Sequence, residues 1–115
     1  EILGPTHPDT LTSRNNLAGA YRATGDLRRA IPLYEETLTQ REEILGPTHP
    51  DTLTSRNNLA YAYQAAGDLH RAIPLFEDNL RLARTVLAPG TPALAIFQRN
   101  LEAAKEESAR RGDRS

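Results

Sequence analysis

The side chains with the most chemistry to offer are amides. Asn15-Asn16 and Asn57-Asn58 recur at one register, and Asn100 stands where a third copy would put it. A carboxamide both donates and accepts, so a row of them can hold the N–H and C=O groups of an extended polypeptide; it can equally bond neighbouring helices to one another. Arg14 and Arg56 each lie among apolar positions. That suits a buried anion site, or, more simply, a packed aliphatic stem whose guanidinium reaches a carboxylate on an adjacent helix. His7 and His49 are metal ligands by type, but equivalent positions on stacked units lie roughly one helix diameter, about 10 Å, apart and cannot share an ion. Neither has a second His four residues on, and His70 is isolated. Serines and histidines occur without any G-x-S-x-G elbow, P-loop or G-x-G-x-x-G sequence. No catalytic residue, metal site or cofactor is therefore assigned. Arg111-Gly112-Asp113 spells an integrin-type tripeptide, but in a charged tail such a coincidence carries little weight.

Bulk properties narrow the partners. The chain has 115 residues, with 14 basic and 15 acidic side chains and a formal charge of −1. No cationic surplus exists to neutralise a nucleic-acid backbone, and no apolar run approaches a membrane span. Neither nucleic acid nor membrane is expected as a partner. Cysteine is absent, which removes disulfides, thiolate metal sites and thiol nucleophiles together. Methionine is absent even at position 1 and no signal-peptide pattern is present, so the chain reads as a segment that begins within a longer protein, with a cytoplasmic location expected. Lys105 is the single lysine among the basic residues, an arginine bias typical of a GC-rich bacterial genome. The length suits one domain at most.

What must position the amides is an internal repeat. Residues 1–18 recur letter for letter as 43–60, and 31 of 42 positions agree between 1–42 and 43–84. A degraded third copy starts near Thr85, with Val86-Leu87-Ala88-Pro89 answering Ile44-Leu45-Gly46-Pro47. Within a unit the punctuation is helical. Thr6-His7-Pro8-Asp9 has the spacing of a capping box with proline in the first turn, which opens a helix A running to about Thr24. Gly25-Asp26 supplies a left-handed C-terminal residue and then an N-cap, opening a helix B over 27–45 that Gly46-Pro47 ends. Leu27, Ala30, Ile31, Tyr34 and Leu38 mark one helical face, and no stretch alternates with period two. Pro32 and Pro74, in the second turn of helix B, each remove one backbone bond; a slight bend is expected there, not an end.

A helix pair of this size is stable only when neighbours stack on it, so the fold class is all-α, an alpha-alpha superhelical solenoid of five helices. The organisation predicted is repeat 1 at about 5–46, repeat 2 at about 47–88 and a capping helix at about 91–111, with 1–4 the stub of a preceding helix. The third copy supports the cap. Thr52, Ser55, Leu59 and Ala62 become Leu94, Phe97, Leu101 and Ala104, gaining apolar volume, whereas Leu53, Arg56, Ala60 and Tyr63 become Ala95, Gln98, Glu102 and Lys105 and turn polar. Thr91-Pro92 would open that helix as N-cap and first residue. In the first unit, Thr10, Ser13, Leu17 and Ala20 would lack a partner.

The series Leu17-Ala18, Tyr21, Gly25, Ala30, Tyr34, repeated as Leu59-Ala60, Tyr63, Gly67, Ala72, Phe76, resembles the tetratricopeptide repeat. The 42-residue period, Asn-Asn-Leu-Ala and Leu-Gly-Pro-x-His-Pro are most similar to the kinesin light chain type found in bacterial arrays. Arg14 and Arg56 depart from the family's large apolar residue, and Glu42 replaces its helix-ending proline. The resemblance implies a non-catalytic scaffold in which helix A lines a concave groove for a peptide or protein partner. On a helical wheel with Arg14, Ala18 and Tyr21 inward, Thr12, Asn16, Gly19 and Ala23 fall opposite, with Asn15 and Arg22 at the margin. The expected peptide-binding set is therefore Thr12, Asn15, Asn16 and Arg22, then Thr54, Asn57, Asn58, Tyr61 and Gln64, and Arg99 with Asn100. Asn16 and Asn58 would clamp the ligand backbone; Arg22, Tyr61, Gln64 and Arg99 would select side chains. Two alternatives stand beside this: a structural array whose units stack end to end, dimerising through the exposed N-terminal helix face, and, by analogy, the sensor arm of a multidomain bacterial regulator.

Overall fold

The computed structural model describes Gly4 and residues 7–112. Within them the chain forms five helices: α1 (Pro8–Ala23), α2 (Leu27–Leu45), α3 (Pro50–Ala65), α4 (Leu69–Arg84) and α5 (Pro92–Arg110). No strand occurs among the described residues. Each helix packs on its predecessor, and α5 also touches α3, so α1, α3 and α5 form one row and α2 and α4 the other.

The starts of α1 and α3 differ from the sequence expectation. His49, not Thr48, is the N-cap of α3, and its Nδ1 accepts the backbone N–H of Asp51 at 3.0 Å. His7 does the same for Asp9 at 3.1 Å. Pro8 and Pro50 occupy the first helical position, where the missing N–H costs nothing, and this register moves the cap one residue past the threonine. Thr6 itself, and the helix stub expected at 1–3, lie outside the described residues. The histidines that resembled metal ligands by type are thus helix caps, because an imidazole nitrogen can fill the acceptor role usual for Ser or Asp.

The A-to-B corner forms as its residues dictate. Asp26 N–H bonds Tyr21 O at 2.8 Å and Gly25 N–H bonds Arg22 O at 3.0 Å, a Schellman closure that requires the left-handed φ of +84° at Gly25. Asp26 then caps α2 through Arg29 N–H at 3.3 Å, so one residue ends one helix and starts the next. Pro32 and Pro74 sit inside α2 and α4, and both helices continue through them.

The core runs between the two rows. Ala18, Ala30, Tyr34 and Leu38 in the first unit are matched by Ala60, Ala72, Phe76 and Leu80 in the second, with Leu53, Leu59 and Leu69 between and Phe97, Leu101 and Ala104 closing against α4. The faces of the A helices separate by stack position. Thr52, Ser55, Leu59 and Ala62 are buried under α2, whereas their letter-identical twins in α1 are largely uncovered: Leu17 is 48% exposed and Leu59 is 5% exposed. In α5 the polar stripe Ala95, Gln98, Glu102 and Lys105 faces solvent.

Candidate functional site

The residues selected on the wheel fall into two sets by exposure. Thr12, Asn16 and Ala23 are exposed on α1, as are Thr54 and Tyr61 on α3 and Ile96 and Arg99 on α5; Asn15, Arg22, Asn57, Asn58, Gln64 and Asn100 are half-buried. The positions one unit apart read Asn16, Asn58, Asn100 along one line and Gly19, Tyr61, Ala103 along the next.

Several of these side chains are joined across units. Asn100 Nδ2 donates to Asn57 Oδ1 at 3.1 Å, Gln64 Nε2 donates to Glu107 Oε1 at 3.1 Å, and the Arg22 guanidinium lies 5.0 Å from the centre of the Tyr61 ring. Arg22 Nε also donates to Tyr34 Oη at 3.4 Å. Thr12 Oγ1 accepts from Arg41 Nη2 at 3.3 Å. Asn57 and Asn100 therefore bond neighbouring helices, one of the two roles open to such amides. Asn16 and Asn58 differ: the side-chain amide of neither hydrogen-bonds another described residue. Asn15 Oδ1 is buried without a donor. Thr54 and Arg99 stand apart from these pairs.

Arg14 and Arg56 take the stem-and-carboxylate arrangement. Arg56, its side chain 3% exposed, reaches Glu42 Oε2 at 3.0 Å, Asn79 Oδ1 at 3.0 Å and Pro47 O at 3.2 Å. Arg14 pairs with Glu36 at 3.2 Å and donates to Gln40. The two arginines are identical in sequence context yet differ in partners, because Glu36, Thr37 and Gln40 of α2 become Asp78, Asn79 and Leu82 in α4. Tyr63 Oη donates to Glu35 Oε2 at 2.5 Å; burial first, then the Glu35 carboxylate, push its hydroxyl up to about 12.

Sequence reasoning missed Arg41, Tyr34 Oη and Glu107. Arg41 is buried and donates to Ser55 Oγ at 2.8 Å, Asp51 O at 3.4 Å and Thr12. The signal lay in the repeat comparison: Arg41 becomes Ala83 where Ser55 becomes Phe97, so a large residue faces a small one at each boundary with the sides exchanged. Glu107 had no such signal, since its counterparts Ala23 and Ala65 are apolar.

The tetratricopeptide repeat model matches residues 1–43 and 15–85. Among solved structures, a protein of Podosopora anserina assigned as a kinesin light chain with nearly identical TPR-like repeats superposes with a TM-score of 0.82 at 32% identity, over 96% of this chain and 53% of that one. A point variant of it gives a TM-score of 0.83 at 31% identity, over 96% and 52%. BtubC (BKLC) of P. vanneervenii gives a TM-score of 0.81 at 24% identity over 94% and 42%, a likeness of fold alone. The chain spans about half the length of these structures or less. No curated protein sequence matches it. Among the described residues no helix is long and apolar enough to cross a membrane. With the family model covering most of the chain and the same helix pairs recurring in relatives above 30% identity, this chain belongs to the tetratricopeptide repeat family, in its kinesin-light-chain-like form.

Proposed function

We propose that the chain is a non-catalytic interaction scaffold, and that the face built by α1, α3 and α5 is a concave groove for an extended segment of a peptide or protein partner. Members of the family mediate protein–protein contact, and the finer reading rests on one observation. Asn16 and Asn58, equivalent residues one unit apart on that face, carry side-chain amides that no described residue engages, whereas the neighbouring Asn57 and Asn100 are joined by a hydrogen bond. Two free amides at a fixed spacing suit the alternating N–H and C=O groups of an extended backbone. The differing residues around them, Gly19 against Tyr61 and Arg22 against Gln64, give each unit its own side-chain preference. In this reading Thr12, Asn15, Thr54 and Arg99 border the groove, and the protein acts in the cytoplasm.

The test is selection of peptides on the full chain from a random library, followed by affinity measurements on Asn16→Ala and Asn58→Ala. Each substitution is expected to weaken a selected peptide by about 1 kcal/mol, the usual net worth of a hydrogen bond, without lowering the unfolding midpoint. Selected peptides that bind the double variant as tightly would refute the clamp.

A second reading has its own observation, the open stripe on α1, where Leu17 is exposed and its twin Leu59 is not. In that reading two chains associate through α1. Light scattering at millimolar concentration decides it: a dimeric mass that Leu17→Glu abolishes supports it, and a monomeric mass removes it.

A further inference from the structure

We propose that the uncovered stripe of α1, Thr10, Ser13, Leu17 and Ala20, docks an amphipathic helix of a partner polypeptide, and that the Ser13 hydroxyl and the Asp9 carbonyl read an arginine on that helix. The stripe is a different face of α1 from the groove residues, so the inference does not depend on groove binding.

What such a stripe accepts is visible at its twin. Residues 8–18 and 50–60 are letter-identical, and Ala20 matches Ala62. In α3 the equivalent stripe is buried beneath α2, and Arg41 is the polar anchor of that contact. Its Nη1 donates to Ser55 Oγ at 2.8 Å and to Asp51 O at 3.4 Å, while Thr52 Oγ1 donates to the Arg41 carbonyl at 3.3 Å. Leu38, one turn before Arg41 on the same helical face, shares a core cluster with Leu59. Each α3 group that holds Arg41 has a counterpart in α1, on Asp9, Thr10 and Ser13. There Ser13 and Leu17 are exposed, and no described residue engages the hydroxyls of Thr10 and Ser13. The surface thus offers hydroxyl and carbonyl acceptors beside apolar area, and its complement is a helix with a leucine and, three residues on, an arginine.

The second boundary supplies a control written into the sequence. There Phe97 of α5 stands in place of Ser55, and the helix that covers it carries Ala83 in place of Arg41. A phenyl ring has no acceptor for a guanidinium and fills the room it would need, so that stripe takes a short side chain. Ser13 gives α1 the other type, with room and an acceptor. The stripe therefore discriminates between helices by one side chain: arginine is accepted through Ser13 and Asp9, and alanine at that position leaves both without a donor from the partner.

The experiment uses the full chain and two probes, a synthetic peptide of residues 27–45 and its Arg41→Ala form. Isolated helices of this length are marginal in water, so each peptide is also joined to the N-terminus of the chain through a flexible Gly/Ser linker, which raises its local concentration to about millimolar. Amide exchange at Leu17 is followed against its twin Leu59. The native peptide should protect Leu17 and leave Leu59 unchanged, and Arg41→Ala should weaken that binding about tenfold. Ser13→Phe, at an exposed position, should reverse the preference so that the alanine peptide binds the more tightly, which general apolar stickiness would not produce. Equal affinity of the two peptides for the native chain overturns the proposal, as does an unchanged preference on Ser13→Phe. Leu17 left unprotected by the tethered native peptide also overturns it. A dimeric chain that the peptide does not dissociate gives the stripe to a second copy and overturns it too. None of these outcomes bears on the groove, whose readout is Asn16→Ala and Asn58→Ala.

Discussion

At the scale of single residues, identical letters meet different fates because the repeat varies around them. Arg14 and Arg56 share their sequence neighbours from Glu1 and Glu43 onward, yet Arg56 alone is locked against Asn79 and the preceding unit's Glu42. Arg56→Leu takes the donor from Asn79 Oδ1 and Pro47 O, while Glu42, 43% exposed, returns to water. The single change should cost about 1 kcal/mol. Arg56→Leu with Asn79→Leu removes the stranded amide as well, and should regain that loss or exceed it, as buried polar pairs replaced by apolar residues often do. Urea unfolding of the two singles and the double measures the coupling. Tyr63 carries a pH signature. Its hydroxyl titrates near 12 in the fold, above the ordinary value of 10.0, because burial and Glu35 both disfavour the phenolate while Arg71 opposes them weakly. A raised folded value means the contribution is whole below pH 10 and drains away between pH 10 and 12, as the unfolded chain ionises first. The stability difference between the native chain and Tyr63→Phe should thus be flat up to pH 9 and shrink above pH 10 in urea titrations.

At the scale of elements, each boundary between units is keyed by a size exchange. At the first, Arg41 of α2 enters a polar niche of Ser55, Thr12 and the Asp51 carbonyl; at the second, Ala83 of α4 leaves room for Phe97 of α5. Ser55→Phe alone would drive a ring into the guanidinium and strand it, costing about 3 kcal/mol or more; Arg41→Ala alone leaves a void costing about 2 kcal/mol. The double variant copies the second boundary, so its cost should fall short of the sum by at least about 1 kcal/mol, and strict additivity in urea unfolding would refute the key. The helices themselves were legible in the sequence because their signals are local: Gly25-Asp26, Gly46-Pro47 and Thr91-Pro92 each fix a boundary by backbone chemistry. The cap at His49 was misplaced by one residue because Thr48 and His49 both offer acceptors, and only the position of Pro50 in the first turn decides between them. The site was legible as a face and not as a set of pairs. Which amide turns to its neighbour, as Asn57 does to Asn100, depends on rotamers and helix offset, and no residue type encodes these.

At the scale of the molecule, the solenoid runs an experiment on itself. Residues 8–18 of α1 and 50–60 of α3 are the same sequence, so their amides have the same intrinsic exchange chemistry, and any difference in protection belongs to their surroundings. Those surroundings are unequal. Helix α3 is held between α2 and α4 and buries Thr52, Leu53, Ser55, Arg56, Leu59, Ala60, Ala62 and Tyr63, whereas in α1 the core takes Leu11 and Ala18. Local opening follows the contacts that must be broken, and α1 can leave with one face of α2 while the rest of the stack persists. Amides at Leu17 and Ala18 should therefore exchange at least about tenfold faster than those at Leu59 and Ala60, a difference of about 1.4 kcal/mol in opening free energy, and NMR resolves the twins because Gly19 and Tyr61 shift their neighbours differently. The comparison also separates the two ways α1 can be used. A peptide lying along the groove touches both helices and should slow exchange in each, leaving their ratio nearly unchanged. A second chain seated on Thr10, Ser13, Leu17 and Ala20 would protect α1 alone and close the gap between the twins as protein concentration rises.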